Sequence, residues 1–258
     1  MMTTNPLSVS VVMATYNGRP YLAEQLQSVL AQLLPGDELI IVDDCSQDGT
    51  PELVEALKSA FVQVVRNPRN LGVLASFERG VLIATRDIIF LCDQDDVWLP
   101  GKRAAFVAVF EDDPGVLVVV SDAELIDARG SVTAPSFMQL RGGFHGGFWS
   151  TMVRNRYLGC AMALRRELLA VALPIPPTVP MHDMWFGALA SVVGRVHYIP
   201  KPLMQYRRHG SNASPARPQG WLRIVRWRVR LLKLLSFRLF THATGFHLFD
   251  MASSAGKK

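Results

Sequence analysis

Apolar residues gather in short runs separated by longer stretches of mixed polarity. Ser8 to Ala14, Glu38 to Val42, Phe61 to Val65 and Ile88 to Cys92 are compact and rich in β-branched side chains, which predicts buried strands. The intervals read as helices. One covers Gly18 to Leu34 and stops at Pro35-Gly36. A second runs from about Pro51 to Ala60, with Thr50 as N-cap and Pro51 at the first helical position. A third follows the polar turn Asn67 to Gly72 and ends near Thr85, and Pro100 opens a fourth. This alternation predicts an α/β domain whose mostly parallel sheet carries helices on both faces. Ligands of such sheets bind beyond the carboxyl ends of the strands. Two acidic clusters, Asp43-Asp44 and Asp93-Gln94-Asp95-Asp96, stand at two of those ends.

Beyond about residue 121 the rhythm loosens. Gly142 to Gly147 reads as a flexible loop able to close over a ligand. A Pro-rich stretch, Pro174 to Pro180, precedes a helix over Met181 to Val193, and Arg195 to Arg208 holds one or two strands. No internal repeat is visible.

Composition narrows the classes. The 258 residues are 49% hydrophobic with both charge signs present, enough for one large domain, alone or with a small appendage. No apolar run reaches the roughly 18 residues of a membrane span, since Arg86 and Asp87 break Val81 to Cys92. Met1 to Ser8 is polar, so no secretory signal is expected. Cys45, Cys92 and Cys160 are few and far apart, which fits a reducing, cytoplasmic setting, and the Asn212-Ala213-Ser214 sequon then reads as chance. The net charge of +5 is uneven: no Asp or Glu occurs between Asp183 and Asp250, while Arg and Lys crowd residues 217–238.

Asp93, Asp95 and Asp96 are the sharpest chemical feature. Carboxylates so spaced at a strand end can share one hard cation, Mg²⁺ or Mn²⁺, which in turn can hold a diphosphate; the bland alternative is a solvated acidic turn. Asp44-x-Ser46-x-Asp48-Gly49, with Glu55 in twelfth place, mimics a calcium loop, but a strand precedes it where that motif needs a helix. Asp183 stands at a helix start, as either general base or N-cap. His209 is a metal ligand, a phosphate donor or neither. No Gly-x-Gly-x-x-Gly or Walker loop follows the first strand, which argues against dinucleotide dehydrogenases and P-loop enzymes.

Taken in order and spacing, Val11 to Gly18, Ile41 to Thr50, Asn70 to Val73, Leu91 to Trp98, Gly159 to Ala163, His182 to Trp185 and Tyr206 to Asn212 resemble glycosyltransferase family 2. The Asp-Gln-Asp-Asp and His-Asp forms resemble its rhamnosyltransferase and galactofuranosyltransferase branch of bacterial surface polysaccharides. The resemblance implies a GT-A fold over residues 1–212, which leaves 213–258 as a separate basic amphipathic helical tail, and an inverting, metal-assisted transfer from a UDP- or dTDP-sugar to a glycan or lipid-linked acceptor. It implies that Thr15, Tyr16, Asn17, Asn70 and Asp93 border the nucleotide and that Asp43 accepts from the base N3–H. It further implies that Asp93, Asp95 and His209 hold Mn²⁺ or Mg²⁺, and that Asp183 is the base, a role compatible with capping. Gly159, Cys160, Ala161, His182 and Trp185 would lie on the acceptor side. Arg207-Arg208 departs from the glutamine or lysine many relatives carry before the histidine, either favouring the diphosphate or reflecting a different acceptor.

Trp221 to Phe240 projects Arg223, Arg226, Arg230 and Lys233 onto one face among apolar residues. This suits either peripheral contact with an anionic membrane or a helix docked on the domain with a basic stripe in solvent. No nucleic-acid fold supports a nucleic-acid partner. A nucleotidyltransferase lacks support because its Gly-rich, Arg-containing first loop is missing. A catalytically silent binding module is disfavoured because the Asp-x-Asp and His-Asp pairs are intact.

Overall fold

The computed structural model describes residues 6–57, 59–210 and 221–244. The first half alternates β1 (Val9–Thr15), α1 (Arg19–Leu30), β2 (Glu38–Asp43), α2 (Thr50–Glu55), β3 (Val62–Arg66), α3 (Val73–Ile83) and β4 (Ile88–Asp93). Then come β5 (Val97–Trp98), α4 (Lys102–Asp112), β6 (Val116–Ile126), β7 (Val132–Ala134), α5 (Phe137–Leu140) and α6 (Phe148–Val153). The chain continues through β8 (Met162–Arg165), α7 (Leu169–Ala172), α8 (His182–Val193), β9 (Arg195–Arg207) and α9 (Trp221–Thr244).

One sheet runs in the order β3-β2-β1-β4-β8-β6-β9-β5, with β7 beside β6. The four strands from β3 to β4 are parallel; β8 inserts antiparallel between β4 and β6, and β6 and β9 pair parallel again. The strand runs are continuous rather than alternating because both sheet faces are buried. Val12, Ile40 and Val42 point to one core with Phe77 and Val81 of α3 and Trp185, Phe186 and Leu189 of α8. Their neighbours Val11, Met13, Leu39 and Ile41 point to the other, against Leu22 and Leu26 of α1 and Phe106 and Phe110 of α4. A Cβ on Gly80 would lie 2.2 Å from Val12 Cγ1, so its absence lets α3 sit close on the sheet.

Several boundaries differ from expectation. Gly49, at φ 83°, precedes α2, so Thr50 is the first helical residue rather than the cap. Met181 precedes α8, which places Asp183 inside the first turn and not at its cap. The eleven-residue strand β6 runs on into the loosened region, and the expected strand or strands after Arg195 form the single long β9. The helix in the tail forms and docks: Leu231 and Leu235 are buried, and Arg238 donates to the carbonyls of Val171, Leu173 and Pro174. Ser211, the Asn212 sequon, Met1 to Asn5 and the side chain of Arg223 lie outside the described residues.

Candidate active site

Strand register assembles the site. Pairing puts Thr15 opposite Asp43 and Ala14 opposite Asp93, so the carboxyl ends of β1, β2 and β4 finish at one edge. A cavity of about 320 Å³ opens there. Its lining includes Thr15, Tyr16 and Asn70 on one side, Asp93, Gln94 and Asp95 at the β4 end, and Gly159, His182 and Asp183 opposite. Segments more than 160 residues apart along the chain thus meet around one space, as an active site requires.

Each wall is held by its own bonds. Gln94 accepts from the Tyr16 amide at 2.8 Å and donates to its carbonyl at 3.0 Å, tying the β1 end to the β4 turn. Asn17 does not line the cavity: at φ 49°, its side chain accepts from Gln47 N at 2.9 Å and braces the neighbouring loop. Asp43 also lies behind the wall, accepting from Ser46 N at 3.2 Å and Thr15 Oγ1 at 3.3 Å. Asp44 is the one of that pair that reaches the cavity, yet its oxygens are occupied. They accept from Asn67 Nδ2 at 2.7 Å and from the amides of Leu71 and Gly72 at 2.8 Å each. That clasp holds the turn that presents Asn70. It also disposes of the calcium-loop reading, because the Asp44 oxygens face backbone donors and a strand precedes the loop.

The β4 end is electrostatically different. Asp93 is pushed up to about 7 by burial in the cavity floor and by the negative charges of Asp95 and Asp183. Asp96 is fully buried and raised well above the usual carboxylate range by burial, then by Asp95 and Asp93; one of its oxygens has no partner. Beneath them Lys102 is also fully buried, donating to Cys160 O at 2.7 Å with its ammonium 4.5 Å from the Trp98 ring centre. Nothing in a single sequence marks this lysine, since a lysine in a first helical turn is ordinarily solvated. His209 Nε2 lies 2.7 Å from Asp95 Oδ2, although the two are 114 positions apart. Arg207 is a strut: it donates to Asp95 O at 2.8 Å and Glu24 Oε2 at 2.6 Å, while its amide bonds Asp96 at 2.9 Å.

This donor set suits a hard divalent cation. Asp93 and Asp95 offer oxygens and His209 an imidazole, in a floor where negative charge is crowded and under-compensated. Asp93, Asp96 and Cys160 also converge, their ligand atoms within 4.8 Å of one another. That second set is the poorer one: Asp96 is sealed from the cavity, and burial keeps the Cys160 thiol protonated.

On the opposite wall, Asp183 is pushed up to about 6 by burial, against the opposing bonds from Met184 N at 2.5 Å and Asn155 Nδ2 at 3.5 Å. His182, driven down to about 4 by burial, is neutral near pH 7; its ring lies 4.2 Å from Phe77, and neither ring nitrogen has a partner. Gly159 makes room for it, since a Cβ there would stand 2.7 Å from His182 Nε2. Cys160 and Ala161 are buried behind Gly159. Trp185 is remote from the cavity lining: α8 turns it into the core, where its indole donates to Ala172 O at 2.9 Å. Ser76 and Asn155 join the site without any motif to announce them, and Tyr206 arrives with the Tyr206 to Asn212 segment, where its own part in the site was not assigned.

Residues 10–171 match the family model described as Glycosyl transferase family 2. The chain belongs to glycosyltransferase family 2. It is 26% identical over 223 residues to the uncharacterized glycosyltransferase alr2836 of Nostoc sp., covering 80% of this chain and 66% of that one. Among solved structures, the family 2 chain superposes on S. aureus TarS 1-349 in complex with UDP-GlcNAc with a TM-score of 0.67 at 19% identity, covering 87% of this chain and 66% of that one. It superposes on the Pyrobaculum calidifontis mannosyltransferase PcManGT, in complex with GDP-Man and Mn²⁺, with a TM-score of 0.63 at 20% identity, covering 99% and 77%. The fold of this family 2 member is therefore GT-A. It spans just under two thirds of the length of alr2836.

Proposed function

We propose that this chain transfers a sugar from a nucleoside-diphosphate sugar to an acceptor hydroxyl, with inversion at the anomeric carbon and Asp183 as general base. One observation carries the reading: Asp183, raised to about 6, faces the same cavity as Asp93 and Asp95. A base so tuned is ionised near pH 7 and still basic enough to receive a proton.

The acceptor oxygen attacks the anomeric carbon as its proton passes to the Asp183 carboxylate. The carbon–oxygen bond to the diphosphate breaks, and its electron pair leaves with the nucleoside diphosphate. Asp93, Asp95 and His209 would hold a divalent cation, which would supply neutralising charge for that leaving group. Thr15, Tyr16 and Asn70 border the nucleotide, and the family resemblance favours a UDP- or dTDP-sugar; Asp43, behind the cavity wall, supports that side through Thr15 Oγ1 rather than by meeting the base. Gly159 and His182 form the acceptor-side wall. The Asp-Gln-Asp-Asp and His-Asp forms support rhamnose or a related sugar, and a role in bacterial surface-polysaccharide synthesis at the cytoplasmic side of the membrane.

The test joins two assays. Asp183→Asn is expected to lose about 10²- to 10⁴-fold in turnover. It should keep the thermal stabilisation that a nucleoside diphosphate gives with Mn²⁺ or Mg²⁺. Near-normal turnover would remove Asp183 as base. No stabilisation by UDP, dTDP, GDP or CDP, with or without metal, would remove the donor reading itself.

A further inference from the structure

The docked helix α9 has a second face that the domain leaves uncovered. Leu231 and Leu235, four residues apart, fix the inner side. On the outer side Val225, Val229, Phe237 and Phe240 are exposed, Phe240 by 65%. Arg226, Arg230 and Lys233 are interleaved with them at the same helical spacing and are also exposed. None of the three forms an ion pair among the described residues, and neither α9 nor α6 carries an acidic residue of its own. A solvated stripe needs no exposed phenylalanines, and a protein-core contact has no use for three unpaired cations.

The patch continues beyond the helix. Arg228 donates to the carbonyls of Met152 and Val153 at the end of α6, fastening the two helices together. Trp149 and Val153 of α6 are exposed by 75% and 77%. Aromatic and aliphatic side chains mixed with cations, lacking any anion, match the chemistry of an anionic lipid interface, where apolar groups enter the acyl boundary and cations meet headgroups. No helix among the described residues is long and apolar enough to cross a membrane. Contact along a surface remains available to a 24-residue helix about 36 Å long.

We infer that the outer face of α9, extended by Trp149 and Val153, is a docking surface for an anionic lipid membrane. It lies close to the candidate base. Val153 is two residues, at most about 7 Å of chain, from Asn155, whose amide bonds Asp183. If the chain transfers sugar as proposed above, an acceptor anchored in the same bilayer reaches Asp183 from that side.

The test is co-sedimentation of the full chain with vesicles, without donor or acceptor, so that it reads the surface and not the transfer chemistry. Binding is expected to phosphatidylcholine vesicles containing about 30% phosphatidylglycerol, to weaken as salt rises, and to be absent from phosphatidylcholine alone. Neutralising the three cations together (Arg226→Gln, Arg230→Gln, Lys233→Gln) should weaken it about a hundredfold, at about fivefold for each cation. Phe237→Ser with Phe240→Ser should weaken it about tenfold or more. Unchanged melting temperatures would show that both variants keep α9 docked. Failure of the wild type to bind anionic vesicles, or full binding by the triple variant, overturns the inference. So does a wild-type dimer in sedimentation velocity that the phenylalanine variant dissociates, because the face would then be a contact between copies.

Discussion

At the end of β2, the carboxylates of Asp43 and Asp44 accept the donors their own loops supply: Ser46 N and Thr15 Oγ1 for one, Asn67, Leu71 and Gly72 for the other. At the end of β4, Asp93 and Asp96 sit among like charges, one Asp96 oxygen has no partner, and both groups are raised. Along the chain the two clusters look the same, an acidic pair closing an apolar strand. Their difference shows that an acidic turn is defined by the donors around it. Saturated carboxylates build loops, whereas under-compensated ones keep capacity for a cation or a proton.

The sharpest way to break this contrast is to remove one carboxylate from each cluster. Asp95→Ala is expected to lose about 10²- to 10³-fold in transfer and the metal-dependent part of donor binding. Its melting temperature should hardly move; a large fall would make Asp95 a loop-builder like Asp44. Titration sharpens the point through Asp183, which belongs with the under-compensated set. With Asp183 as the proposed base, transfer would need its ionised form, so turnover is expected to drop about tenfold per pH unit below pH 6 and to lie flat above.

Stability runs the other way. The folded value near 6 lies above the unfolded 3.8, so the native state holds the proton more tightly. Its stability therefore falls as pH rises from about 4 to 6, with a cost of about 3 kcal/mol beyond. Asp183→Asn should consequently be more stable than wild type at pH 7.5, the gain vanishing below pH 4. Denaturant titrations at both pH values measure it, and a less stable variant at pH 7.5 would contradict the sign.

Asp44→Ala acts on the saturated cluster. It strands three donors, at a cost of about 2–4 kcal/mol, and should lower the melting temperature by about 5–10 °C. An unchanged melting temperature would mean the clasp holds nothing. The smallest effect is expected from Arg66→Ala. Arg66 is half exposed and 3.6 Å from Asp43, whose oxygens already have donors, so the loss should stay under about 1 kcal/mol.

Much of the first half was legible beforehand. β1, β2 and β4 are short apolar runs with polar ends, and that pattern alone marks strands buried on two faces. Asp93, Asp95, Asp183 and His209 stood out as residue types in a characteristic order. Asp43 and Asp44 were indistinguishable, because nothing in Asp43-Asp44 says which side chain meets Leu71 N and Gly72 N. The continuation of β6 past residue 121 was hidden for a similar reason, since its pairing with β8 and β9 is made by segments far along the chain. Trp185 looked like part of the site motif, but helical geometry turns it to the core two residues after Asp183.

Hydrophobic periodicity and motif order, both local properties, therefore determined the sheet, the family and the residues able to do chemistry. Charge compensation was decided only by the tertiary structure. It depends on which amides, carboxylates and imidazoles arrive from distant segments, such as His209 at Asp95 and Asn155 at Asp183, and on how far burial removes water from between them.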